Sequence, residues 1–169
     1  MSKIEVNEKR VVDEFQELTA IDAPSFGERQ MADRLIVKLK ELGFEKVDVV
    51  KEQELPDGTF PTVAYPNPED EKAWELALKL AKEKDADIVL ATDPDADRLG
   101  VYAKDTKTGE YISFTGNMSG MLIAEYILRE KTKMNIMPEN PALVETIVTT
   151  DMAKAIAKDY GVKLIEVLT

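Results

Sequence analysis

The chain has 169 residues, with 22 basic and 33 acidic side chains, a net charge of −11, and no cysteine or histidine. The missing residue types exclude thiol nucleophiles, disulfides, Ser-His-Asp and Cys-His catalysis and the usual His/Cys zinc sites, which leaves carboxylates, Lys, Arg, hydroxyls and backbone amides to carry any chemistry. The acidic balance disfavours nucleic acid and anionic membranes, while a hydrophobic content of 44% is enough for a packed core.

The first ten residues, MSKIEVNEKR, are charged and contain no apolar run, so no signal peptide is expected there. No apolar stretch reaches the length of a membrane span, and the expected location is the cytoplasm. Up to Gly43 the pattern predicts helix, turn, helix. Val11, Val12, Phe15 and Leu18 mark the apolar face of the first helix, and Asp22-Ala23-Pro24 breaks it. Ser25 followed by Glu28 reads as a capping box opening the second helix, where Met31, Leu35, Leu39 and Leu42 recur at helical spacing until Gly43. Two such helices cannot bury their faces alone, so the segment is expected to dock on something.

From Lys46 the pattern changes. Val47, Val49 and Val50 predict a short strand. Pro56, Pro61, Pro66 and Pro68, with the Asp57-Gly58 turn, then predict an ordered irregular loop. Asn67-Pro68-Glu69-Asp70 is a helix start, with Asn67 as N-cap and Ala73, Trp74, Ala77, Leu80 and Ala81 turned inward up to about Lys84. Ile88-Val89-Leu90-Ala91 reads as a strand buried on both faces. Leu99 to Ala103 and Tyr111 to Phe114 predict a hairpin around Gly109, and Thr115-Gly116-Asn117 opens a helix through Met121, Leu122 and Ile127. After a polar linker, Ile147-Val148, a helix over Asp151 to Asp159 and a strand over Leu164 to Leu168 predict a closing strand-helix-strand unit.

One segment carries chemistry. Asp93, Asp95 and Asp97 alternate at the end of the apolar strand, where open α/β sheets bind ligands. Crowded carboxylates repel one another unless a cation lies among them, and hard oxygen ligands select Mg²⁺ or Ca²⁺. The competing reading is a solvated acidic turn. An EF-hand starting at Asp93 would need Gly at its sixth position and Glu at its twelfth; Arg98 and Lys104 stand there, so that motif fails twice. A haloacid-dehalogenase-type phosphatase also places alternating aspartates after a buried strand, but Asp97 departs from its usual residue and its later Lys and acidic pair have no assigned counterpart here.

Asp93-Pro94-Asp95-Ala96-Asp97-Arg98 closely resembles the magnesium loop of bacterial α-phosphoglucomutases, members of the α-D-phosphohexomutase superfamily. The segment from Glu54 to Val63, Asn67-Pro68-Glu69-Asp70, Leu90-Ala91-Thr92, Thr115-Gly116-Asn117 and Thr146-Ile147-Val148-Thr149-Thr150 extend the resemblance from about residue 39 to Thr169. It implies that Asp93, Asp95 and Asp97 are Mg²⁺ ligands and that Arg98 lies beside a phosphorylated serine. It also aligns Thr169 with a threonine of the family's sugar-facing loop. The neighbouring reading for Arg98 is a salt bridge to one of the same aspartates. The family's enzymes have four domains, pass a phosphoryl group between the phosphoserine and a hexose phosphate, and carry a Ser-His-Asn-Pro type motif and a Gly-Glu-Glu-Ser-Gly loop. Without histidine the first cannot occur here, and Gly27-Glu28 and Gly109-Glu110 continue differently from the second.

Arg10 to Gly43 instead resembles the opening helices of aminotripeptidase-like dizinc peptidases, through Val11-Val12-Asp13-Glu14-Phe15 and Ile21-Asp22-Ala23-Pro24-Ser25 leading to Glu28-Arg29. Those peptidases use histidine ligands, so no peptidase activity follows. The expected architecture is α/β, a layered mixed sheet with flanking helices of phosphohexomutase type, preceded by a helical hairpin. Three parts are expected: a helical segment over 1–45, a metal-binding domain over 46–140, and the start of a following domain over 141–169. The expected function is an incomplete phosphoglucomutase-type domain that binds Mg²⁺ without mutase turnover. The alternatives are an inactive chimera that self-associates, as a homodimer through an exposed sheet edge, and a small Mg²⁺-dependent phosphohydrolase. Hexose phosphate is expected as a ligand only of a full-length parent.

Overall fold

The computed structural model describes residues 8–24 and 27–169. Five helices and five strands are present among them: α1 (Glu8–Thr19), α2 (Arg29–Glu41), α3 (Glu75–Lys84), β1 (Ile88–Thr92), β2 (Leu99–Lys104), β3 (Tyr111–Phe114), α4 (Gly116–Lys133), β4 (Ala142–Thr146), α5 (Met152–Asp159) and β5 (Lys163–Val167). The α/β class expected from the sequence holds. Backbone contacts divide the described chain into two units: a helical one up to residue 86 with residues 92–96, and a sheet-bearing one of residues 87–91 and 97–169.

In the helical unit, α1 and α2 are joined by ion pairs. Glu17 meets Arg34, and Lys38 bridges Glu14 and Glu17. Earlier α1 residues meet later α2 residues, so the two helices run antiparallel. The apolar faces are less covered than amphipathic patterning suggests. No residue of α2 is buried, Val12 and Phe15 are exposed and Leu18 is half-buried, while the side chain of Val11 lies outside those described. The capping-box Ser25 also lies outside the described residues. The N-cap position of α2 is Glu28, which makes no side-chain cap hydrogen bond.

The strand expected at Val47, Val49 and Val50 does not form. Those residues are irregular and lead into a 3₁₀ turn over Lys51–Gln53. A run this short becomes a strand only when a neighbouring strand satisfies its backbone, and none pairs with it among the described residues. The proline-rich loop is ordered, as expected: Asp57 Oδ1 accepts from the Thr59 amide at 2.9 Å and its hydroxyl at 2.7 Å, which holds the Asp57 carboxyl below its ordinary range. The next helix begins in two steps. Asn67 Oδ1 accepts from the Glu69 amide at 2.9 Å, Asp70 Oδ1 accepts from the Lys72 amide at 3.0 Å, a 3₁₀ turn covers Glu71–Trp74, and only then does α3 start. Trp74, Ala77 and Ala81 are the buried residues, and the Trp74 indole donates to the Pro68 carbonyl at 2.9 Å. Ala77 and Ala81 are four residues apart on α3, so they share its buried face.

In the sheet-bearing unit, β1, β2 and β3 form one sheet in that order. β2 and β3 are antiparallel, with Val101 opposite Phe114 and Lys104 opposite Tyr111. Their turn is closed by Asp105, whose Oδ1 accepts from the Lys107 amide at 2.8 Å, and by Gly109 at φ +77°. Contrary to the expectation of burial on both faces, β1 alternates, with Ile88 38% and Leu90 41% exposed. The physical reason is position: among the described residues β1 ends the strand order, and no strand lies beyond it. α4 is capped by Thr115, whose hydroxyl accepts from the Met118 amide at 3.2 Å, and it buries Met121 and Leu128. It runs to Lys133, into the stretch expected as linker.

β4 and β5 form a separate parallel pair, Leu143 opposite Leu164 and Glu145 opposite Glu166, joined by α5. This is the closing strand-helix-strand unit, although Ile147-Val148 fall in the turn after β4 rather than in the strand. Leu128, Ala157 and Val162 form its buried centre, with Leu143, Ile156, Tyr160 and Leu164 packed around them. Gly161, at φ +65°, ends α5 as its position predicts. The strands are thus shared between two sheets rather than one.

Candidate metal centre

The loop after β1 is set by its own residues. Asp93 and Pro94 occupy the first two positions of a tight turn, closed by the Ala96 amide donating to the Asp93 carbonyl at 3.1 Å. Proline presets the backbone of its position, and Ala96 then takes a left-handed conformation at φ +56°, unusual for a residue with a Cβ. This turn brings alternate side chains together. One carboxylate oxygen each from Asp93, Asp95 and Asp97 lies within 4.8 Å of the others. Asp93, at the strand end, is 4% exposed, whereas Asp95 and Asp97 face solvent.

The donor set fits a hard cation. Two oxygens on opposite sides of Mg²⁺ lie about 4.2 Å apart, twice its bond length, and about 4.8 Å apart on Ca²⁺. The observed spread therefore admits either ion, with slight closure for the smaller one. Without a cation, each carboxylate pair at this separation repels by roughly 1 kcal/mol in water and roughly 3 kcal/mol at the dielectric of a protein surface. Solvent around Asp95 and Asp97 keeps the cost near the lower figure.

Arg98 Nε donates to Asp97 Oδ1 at 3.3 Å. This is the salt bridge the sequence offered as the plain reading of that arginine, and it engages one oxygen of a candidate ligand. Thr169 is exposed at the last position, beyond β5. The site therefore assembles the three aspartates and joins Arg98 to one of them; Thr169 is not among the clustered ligands. Sequence reasoning passed over a second buried carboxylate, Glu145 on β4, 8% exposed, whose Oε2 has no hydrogen-bond partner among the described residues. Its only sequence signal is a lone Glu between Val144 and Thr146 in an otherwise apolar strand. Near α5, Asn117 Nδ2 donates to the Thr149 carbonyl and the Thr146 and Thr149 hydroxyls lie 3.0 Å apart, so these polar groups serve the turn between β4 and α5.

Comparison with known proteins places this geometry. Residues 31–109 match the model of phosphoglucomutase/phosphomannomutase α/β/α domain II. A probable phosphomannomutase of Haemophilus influenzae is 39% identical over 131 residues, covering 78% of this chain and 26% of that protein. A phosphoglucomutase of Staphylococcus aureus is 36% identical over 131 residues, covering 78% of this chain and 23% of that protein. A crystal structure of a phosphoglucomutase/phosphomannomutase family protein from Burkholderia thailandensis superposes with a TM-score of 0.61 at 26% identity, over 88% of this chain and 28% of that one. The chain spans about a quarter of the length of the curated relatives it matches.

Proposed function

Over residues 31–109 this chain belongs to the phosphoglucomutase/phosphomannomutase family, and from that premise we propose that it is a phosphohexomutase-type domain whose Asp93–Asp97 loop binds Mg²⁺. The observation that carries the reading is the approach of three carboxylates within 4.8 Å at the end of β1, inside the matched residues. Asp93, Asp95 and Asp97 would hold the ion, and a bound Mg²⁺ would withdraw charge from a phosphate oxygen. Arg98 would exchange its partner Asp97 for phosphate oxygens, for which a planar guanidinium is well shaped. Thr169 would face the sugar. We keep the three-part organisation of helical segment, metal-binding domain and terminal unit, and cytoplasmic location, within the same proposal.

These 169 residues contain neither histidine nor a Gly-Glu-Glu-Ser-Gly run, so the proposal includes no mutase turnover by this polypeptide on its own. Calorimetric titration with Mg²⁺ tests the metal site: the wild type should give saturable heat that Asp95→Ala removes, and equal heats from both would end the proposal. A coupled assay for glucose 6-phosphate formed from glucose 1-phosphate should stay at background; Asp95-dependent turnover would overturn the second part.

One observation favours a second reading. Among the described residues β1 is an apolar strand at the end of its sheet, with Ile88 and Leu90 partly exposed, and an unpaired edge of that kind recruits another chain. On this reading the chain self-associates as a homodimer through that edge and has no activity. A Val89→Pro variant, which removes one backbone donor from β1, should then lose the dimer while keeping its helical signal.

A further inference from the structure

The hairpin of α1 and α2 shows a mismatch between patterning and burial that the metal-site proposal does not use. Phe15 is 67% and Val12 48% exposed on α1, Leu35 is 47% exposed on α2, and Leu42, just past the end of α2, is 77% exposed. Val12, Phe15 and Leu18 recur every three residues, and Met31, Leu35, Leu39 and Leu42 recur at steps of four, four and three, so each set lies on one helical face. The ion pairs of Glu14 and Glu17 with Arg34 and Lys38 hold the helices side by side. Within the helical unit, two amphipathic helices paired in this way still have an open apolar layer.

Charge indicates what covers it. α1 carries four acidic and two basic side chains, and α2 carries four basic and two acidic ones. The two helices therefore cancel, −2 against +2, and the chain's net −11 lies entirely outside them. The hairpin is a place where two copies can approach without net repulsion. A twofold axis parallel to the helices would set each α1 antiparallel to α2 of the other copy, acidic helix against basic helix, with both apolar layers facing inward.

We propose that this face binds a second copy of the chain, hairpin to hairpin, with Phe15 of one copy packed near Leu35 of the other. The arrangement is isologous, so the same contact forms twice. It does not depend on the metal reading, because the residues involved are separate from Asp93, Asp95 and Asp97.

The absence of cysteine makes the test direct. Light scattering over a wide concentration range should show the wild type passing from monomer to dimer. Phe15→Glu should weaken the dimer at least about tenfold, as loss of a central aromatic anchor does. Under mild oxidation, a mixture of Phe15→Cys and Leu35→Cys chains should give a covalent heterodimer much faster than Lys107→Cys, which lies in the β2–β3 turn and not in the hairpin. A wild type that stays monomeric at every concentration overturns the proposal. So does a dimer that survives Phe15→Glu and cross-links no faster at the hairpin than at position 107, which would instead indicate pairing through β1. If Phe15→Glu loses helicity, the cysteine pair alone decides. Phe15→Glu should still bind Mg²⁺ saturably, so loss of the dimer and loss of the metal site are read separately.

Discussion

Two side chains outside the proposed ligand set define how the local chemistry is tuned. Ala96 holds a left-handed backbone in the turn that brings the aspartates together. Replacing it with Gly relieves the Cβ clash but adds freedom to the unfolded chain, so Ala96→Gly should gain roughly 0.5–1 kcal/mol in urea unfolding. The same freedom loosens the ligand arrangement, so Mg²⁺ heat should fall; unchanged stability together with unchanged heat would mean that the turn conformation is irrelevant to both. Glu145 presents the opposite case, a buried carboxylate oxygen without a partner. Leucine at that position removes the desolvated group while retaining bulk, and Glu145→Leu should raise the thermal midpoint by an amount equivalent to about 1–3 kcal/mol. A lower midpoint would show that the carboxylate is satisfied in solution. The aspartate cluster was legible in the sequence because turn residues one and two apart determine it locally. The burial of Glu145 was not, since it depends on how β4 meets α5 and β5, and no neighbour in sequence encodes that.

At the scale of elements, the same division holds between local and distant causes. The helix opening at Thr115-Gly116-Asn117, the β2–β3 hairpin around Gly109 and the helix end at Gly161 follow from residues within a few positions of each other, and all appear where the sequence placed them. The strand at Val47 to Val50 and the two-sided burial of β1 required partners from elsewhere, and those partners are absent among the described residues. The hairpin of α1 and α2 depends on Glu17, whose carboxyl is held below its ordinary range by the Arg34 hydrogen bond, with Lys38 adding to the effect. A depressed folded-state value means that this contribution is complete above the ordinary Glu range. It is lost as pH falls through the lower, folded-state value. Helicity followed by circular dichroism should therefore decline more gently in acid for Glu17→Gln than for the wild type, from a lower starting point at neutral pH. Superimposable acid transitions would remove Glu17 from the account.

For the molecule as a whole, net charge sets the conditions under which any self-association is seen. Two copies each carrying −11 repel at long range, while the hairpin contact is neutral overall. Salt acts on these two contributions differently. At about 0.01 M the Debye length is roughly 30 Å and the whole charge of each copy is felt; at about 0.15 M it is roughly 8 Å, so distant carboxylates are screened while side chains in contact are affected far less. If the apolar layer of Phe15, Val12, Leu35 and Leu42 supplies most of the attraction, raising salt across this range should strengthen the dimer, because it removes repulsion without weakening burial. If cross-copy ion pairs between α1 and α2 supply it, the same change should weaken the dimer. Sedimentation equilibrium at the two salt concentrations separates these cases, and we expect the tighter dimer at the higher one. Added Mg²⁺ should act in the same direction as salt but at lower concentration, since a cation held at Asp93, Asp95 and Asp97 reduces the net charge directly. That extra effect should vanish in Asp95→Ala, which ties the charge of the whole molecule back to a single loop.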